Sequence, residues 1–130
     1  MIADTAFLID LMVGDEAAVE KARDVESRSI PITVTAPSVF ELIVGLSLSE
    51  KPEEEKTRIM GFLESLPFLP LDSESAKEGG RIYGDKRRAG SQINPEDAMI
   101  AGIAKVHGER VLTRNAEHFR GVEGVSVEPY

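Results

Sequence analysis

The chain has 130 residues, no cysteine, only two histidines and a formal charge of −8. That length fits one domain able to bury roughly two-thirds of its unfolded surface without a staple. The composition excludes disulfides, cysteine-based zinc sites and thiol nucleophiles, and His107 and His118 are too widely spaced for a histidine-rich centre, so any bound metal must be held by oxygen. The acidic balance argues against gripping nucleic acid by bulk positive potential, and leaves a local basic strip or a metal-neutralised site. No apolar run approaches the ~20 residues of a membrane span, and the start lacks the basic flank and cleavage site of a signal peptide. A soluble, cytoplasmic protein with no membrane partner is expected.

In chain order, "MIADT" reads as a short apolar strand ending at Asp4, and a polar, alanine-containing stretch at 15–27 predicts a helix. "IPITVT" predicts a second strand, and "APSVFELIVGL" opens a helix that is apolar almost all round. The acidic run at 51–56 suits the positive end of a helix, and Ile59, Phe62, Leu63 and Leu66 follow it with i, i+3, i+4, i+7 spacing. After a third strand, "FLPLD", comes "SESAKEGGRIYGDKRRAG". There Gly79, Gly80 and Gly84 each weaken a helix by roughly 1 kcal/mol relative to Ala, which predicts close approach of a neighbouring backbone. "NPEDAMIAGIAKVHG" predicts a last helix with Asn94 as N-cap and Pro95 at its first position, followed by strands "RVLT" and "VSVEP". Strands alternating with helices predict a three-layer α/β/α sandwich around a parallel sheet of about five strands, with 1–130 as a single domain.

In such a sheet, strand ends and helix starts share one edge, where ligands bind. Asp4, Glu41, Glu96 and Asp97 belong to that edge. Two of them have local explanations: "SVFE" has the spacing of a capping box with Ser38 as N-cap and Glu41 at N3, and Asp97 stands at N3 after Asn94. Asp4 lies at a strand end before "TAFLID", with no helix amide expected at a fixed spacing, so capping does not explain it. Three carboxylates within ~5 Å would repel by roughly 3 kcal/mol per pair at an effective dielectric near 20, which a hard divalent cation resolves. Magnesium, with few carboxylates and several retained waters, suits one Asp and two flanking acids, and such a centre activates water against a phosphodiester.

Taken in order, "ADTAFLID", "SVFELIVG", "NPEDAMIAGIAKVHG" and "VLTRNAEHF" resemble the motif set of the PIN domain, specifically the VapC-type toxin ribonucleases, over nearly the whole chain. The resemblance implies a PIN-like fold and a Mg2+-dependent endoribonuclease in which Mn2+ can substitute. It also implies a homodimer acting as the toxin of a type II toxin-antitoxin pair, with a VapB-like antitoxin whose tail occupies the active-site groove. Residue by residue it places the metal-holding acids at Asp4, Glu41 and Asp97, a steadying hydroxyl at Thr113, and Thr5 after the first acid. Asn115 stands where many PIN domains carry a fourth Asp, and His118 stands three residues on, where relatives with Asn carry another acid; Glu96 and Glu117 lie off the pattern. A second ion is therefore expected to bind weakly.

Arg114 beside the site, and Arg87 within the basic cluster 86–88, are candidates for RNA phosphates; the bland alternative is that these cations balance Glu78 and Asp85 or are solvated. With five Phe, two Tyr and no Trp, stacking platforms are not obvious, and Tyr83 and Phe119 fit core or interface positions. His107 suits a helix end. A haloacid-type phosphatase would need an acid where Ala6 stands, a receiver domain would need its phosphorylated Asp later than Asp4, and a nucleotide-binding first turn would need glycines that are absent. The alternative from another class is a catalytically weak PIN-like domain acting by RNA or antitoxin binding. The surplus apolar surface of residues 37–48 predicts a homodimer interface.

Overall fold

The computed structural model describes residues 1–130. Its elements follow the predicted alternation: β1 (Ile2–Ala3), α1 (Thr5–Met12), α2 (Glu16–Ser27), β2 (Val34–Thr35), α3 (Ala36–Ser47), α4 (Pro52–Glu64), β3 (Phe68–Leu69), α5 (Ser73–Arg88), α6 (Pro95–His107), β4 (Val111–Thr113), a 3-10 turn (Ala116–Phe119) and β5 (Val127–Pro129). All strand pairs are parallel. The regular sheet is smaller than expected: β1, β4 and β5 form one ladder, β2 and β3 another, and a single Ile2–Thr33 bridge joins them. Prolines 31, 67, 70 and 129 in the strand segments remove ladder donors, which keeps the pairings short.

Alternation along β1 and β4 builds the layers. Ala3 and Leu112 face a core with Phe7, Leu8, Val25, Leu42 and Ile59 from the first four helices, whereas Ile2 and Val111 face a second core with Ile82, Ile100 and Ile103 from α5 and α6. No helix is long and apolar enough to cross a membrane.

Three local expectations need correction. Residues 5–12 form a helix that the apolar run concealed, and Asp4 is its N-cap, accepting the Phe7 N–H at 2.8 Å. Helix α3 starts one turn earlier than the capping box required: Thr35 occupies the N-cap without a side-chain bond, Pro37 lies in the first turn, and Ser38 is a buried residue inside the helix. Close backbone approach occurs at Gly79 alone of the three glycines named, opposite Gly102 of α6; nothing lies within 4 Å of a Cβ placed at Gly80 or Gly84. The predicted cap at Asn94 is present, its side-chain oxygen accepting the Asp97 N–H at 2.8 Å.

The β5 edge is pinned by a buried carboxylate. Glu128, with its side chain 7% exposed, accepts from Arg28 and lies 3.1 Å from Lys21 Nζ and 3.0 Å from Arg110 Nη1. The Arg28 contact pulls its carboxyl down from 4.5 to about 2. Because the folded value is depressed, the stabilisation is complete above the unfolded value and is lost as pH falls from about 4.5 towards about 2. Discounted for the partly exposed guanidinium partners, it amounts to about 2 kcal/mol. Glu128→Gln should lower the melting temperature at pH 7 by roughly 5–10 °C, with the gap closing near pH 2. Equal melting at pH 7 would show that the cluster contributes nothing.

Candidate active site

The polar edge is organised from β1 outward. Asp4 is 4% exposed, with one carboxylate oxygen on the Phe7 amide and the other accepting the hydroxyl of Thr113, which is fully buried at the end of β4. The Thr113 oxygen also accepts the Asn115 N–H at 2.9 Å, so the backbone after β4 is tied through one hydroxyl to the first acid. The Asn115 side chain makes no bond of its own. Thr5, one residue beyond Asp4, donates its hydroxyl to Glu41 Oε1 at 2.8 Å and lies 3.0 Å from Ser38 Oγ. Asp97 reaches the same edge from the first turn of α6, where its Oδ2 meets His118 Nδ1 at 2.8 Å.

Burial pushes all three carboxyls above the usual carboxylate range. For Asp4 the bonds from Thr113 and Phe7 oppose burial and the charge of Asp97 adds to it; for Glu41 the Thr5 bond opposes, and Glu96, Asp97 and Asp4 all add. For Asp97, contact with His118 opposes. The acids thus share one electrostatic environment, but they are not a finished ion cage: no three stand close enough to hold one ion, since Glu41 is turned to Thr5 and Asp97 to His118. The close carboxylate cluster expected from sequence is replaced by three separately bonded acids around a shared field. Thr35 Oγ1, buried at the end of β2 next to β1, has no hydrogen-bond partner. An all-oxygen donor set, surplus negative charge and an orphaned hydroxyl fit a hard divalent cation.

Two residues of this edge were not singled out from sequence. Asp10 is a buried acid in the apolar helix α1; its Oδ2 accepts the Tyr130 hydroxyl at 2.7 Å and pairs with Arg114 Nη1 at 3.0 Å. Tyr130 also packs edge-on against Phe7, with ring centroids 4.9 Å apart. A lone acid within "AFLIDLM" was the available signal, because a charge on an apolar helix face is held only by a partner. Arg114 is therefore not a free cation, although it still opposes the upward shift of Asp4. Of the off-pattern acids, Glu117 is engaged by Arg120 and Glu96 faces the site only through its charge.

A cleft of about 810 Å3 opens beside Asp97 and His118 and extends along the Gly90–Pro95 segment to Tyr83 and Arg87. Tyr83 thus lies on the cleft wall, whereas Phe119 is buried in the core as expected. Residues 1–124 match the family model for the PIN domain. This chain belongs to the PIN domain family. Among its relatives, the tRNA(fMet)-specific endonuclease VapC of Salmonella typhimurium is 32% identical over 97 residues, covering 75% of this chain and 74% of that protein. Ribonuclease VapC1 of Rickettsia felis is 26% identical over 98% of this chain and 93% of its own length. The solved structure of DNA-bound VapBC from Salmonella typhimurium superposes with a TM-score of 0.86 at 29% identity, covering 98% of this chain and 96% of that one. VapBC2 from Rickettsia felis, at 18% identity over 99% of this chain and 97% of that one, shares the fold with a TM-score of 0.88. The three acids of this PIN domain accordingly sit on a scaffold that it shares with ribonucleases of the VapC group.

Proposed function

We propose that this PIN domain is a divalent-metal-dependent endoribonuclease and the toxin of a type II toxin-antitoxin pair. The observation that carries it is the arrival of Asp4, Glu41 and Asp97 from three elements at one sheet edge, each acid's carboxyl raised by burial and by the charge of its neighbours. Asp4, Glu41 and Asp97 would hold Mg2+ or Mn2+, which supplies an activated water and neutralises charge developing on a phosphodiester. Thr113 keeps the Asp4 carboxylate oriented, Thr5 does the same for Glu41, and Asn115 offers a neutral carbonyl where a fourth charge would otherwise lie. Arg114, held by Asp10, and Arg87, on the cleft wall, supply the positive charge for RNA phosphates that the chain as a whole lacks.

Calorimetric titration with manganese should find one tight site per chain in wild type, and a second in Asn115→Asp. RNA cleavage should cease on chelation and return with Mg2+ or Mn2+. Cleavage that survives chelation would refute the metal requirement, and metal and RNA binding without cleavage would favour the binding-only alternative.

The protein partners follow from an unpartnered apolar stripe. Ile9 of α1 and its C-cap Val13, and Phe40 and Val44 of α3 with its C-cap Leu48, are 44–80% exposed at i, i+4 spacing. A homodimer, with a VapB-like antitoxin as the regulatory partner in the cytoplasm, covers such surface. Light scattering at tens of micromolar should give a dimer mass, and a monomer would remove the pairing of two copies.

A further inference from the structure

The cleft next to Asp97 has two ends of different chemistry. At one end are the carboxylate of Asp97 and the His118 ring; at the other, Arg87 Nη1 donates to the Tyr83 hydroxyl at 3.2 Å and its guanidinium lies 5.6 Å from the Tyr83 ring centroid. Between them Ser91, Gln92 and Asn94 contribute neutral hydrogen-bonding groups. The volume is within the roughly 300–1,000 Å3 of small-ligand sites.

Arg87 is the α5 cation that lines the cleft. Arg81 is neutralised by Glu78 and Asp85, and Lys86 donates to the Arg120 carbonyl, whereas Arg87 makes no ion pair. The two tyrosines differ as well: Tyr130 is engaged by Asp10 and Phe7, while Tyr83, half-buried against the α5–α6 core, has Arg87 as its only hydrogen-bond partner. On a protein of charge −8, an unneutralised guanidinium beside an aromatic ring and a floor of neutral amides is suited to a polyanion carrying flat, hydrogen-bonding bases.

We propose that this cleft is a nucleobase subsite: an unpaired base flanking the scissile phosphodiester stacks on Tyr83, and Arg87 contacts the adjoining phosphate. The subsite rests on the ribonuclease function proposed above and adds a recognition element to it, an accessible base held at that position by Tyr83 and Arg87.

The test uses fluorescein-labelled hexaadenylate, hexauridylate and an abasic ribose-phosphate hexamer, bound in Mg2+ to the Asp4→Asn protein, in which cleavage is slow enough for binding to be read. Hexaadenylate should bind about fivefold or more tightly than the abasic chain, with hexauridylate between them. Tyr83→Leu should close that gap while leaving abasic binding unchanged, and Tyr83→Phe should keep it. Arg87→Gln should weaken all three probes and reduce the salt dependence by about one phosphate contact. Because the chain has no Trp and two Tyr, Tyr130→Phe in the same background leaves Tyr83 as the sole emitter, and its fluorescence should be quenched by hexaadenylate and not by the abasic chain. A base-dependent gap that persists in Tyr83→Leu, or Tyr83 emission unchanged at saturation, overturns the subsite and leaves the ribonuclease function standing. Failure of all three probes to bind overturns RNA as substrate, and the subsite with it.

Discussion

The Asp4→Asn protein is expected to fold and melt like wild type and to cleave RNA about a thousandfold more slowly, the factor for several kcal/mol of lost metal-centred stabilisation. Asparagine is as good an N-cap as aspartate, so its oxygen still accepts the Phe7 amide, while its amide nitrogen takes the place of the second oxygen and donates to the Thr113 hydroxyl instead of accepting from it. What disappears is a buried negative charge. Burial holds the Asp4 carboxyl above its ordinary range, so the folded state favours the neutral form and the group's contribution to stability declines as pH rises through the carboxylate range. A neutral amide removes that cost at pH 7, which offsets the acceptor lost to the Thr113 hydroxyl and leaves the melting temperature near that of wild type. Asp4→Ala separates the two roles: it should lose the same activity and also about 1 kcal/mol of capping. Full cleavage by purified Asp4→Asn, free of contaminating nuclease, would remove Asp4 from the chemistry.

Gly102→Ala should be among the most destabilising single-methyl additions in the chain, by about 3 kcal/mol or roughly 10 °C in melting temperature. A Cβ at residue 102 would lie 2.5 Å from the Ser75 carbonyl oxygen, 2.6 Å from the Gly79 nitrogen and 2.9 Å from its Cα. All three are backbone atoms of α5, so no side chain can rotate away and the helices must separate. Gly80→Ala is the control: with nothing within 4 Å, it should leave stability unchanged or raise it by up to about 1 kcal/mol through helix propensity. Thermal melts of the two variants decide the point, and a Gly102→Ala protein as stable as wild type would mean that the helix pair is looser than it stands here.

The three carboxylates also differ from the arrangement expected of them. Mutual repulsion and burial are present, as charge alone required, but each acid relieves them with its own partner: Thr113 for Asp4, Thr5 for Glu41 and His118 for Asp97. Holding an ion, as proposed, would require these acids to exchange side-chain partners and not to move helices, because the backbone positions already lie on one edge.

The sequence by itself determined what depends on residues a few positions apart. The alternation of strands and helices, the Asn94 cap with Pro95 behind it, the solvated acidic start of α4 and the surplus apolar stripe of α3 follow from period and from capping chemistry. The exceptions have local causes too. A short, wholly apolar α1 has no polar face to reveal its period, which hid both the helix and its cap at Asp4, and Pro37 within the first turn allowed α3 to begin before the Ser38 box. Only the tertiary structure decided which groups meet across long stretches of chain. Thr113 reaches Asp4 from 109 residues away and Tyr130 reaches Asp10 from 120, while Gly102, unremarkable in its own helix, is the point where α6 touches the backbone of α5. The same holds for the cations: Arg81, Arg87 and Arg114 are alike as sequence, and only their placement makes one neutralised by its own helix, one free on a cleft wall and one held by a buried acid. Periodicity reports which face a residue is on; the partner it finds there is set by where the chain returns.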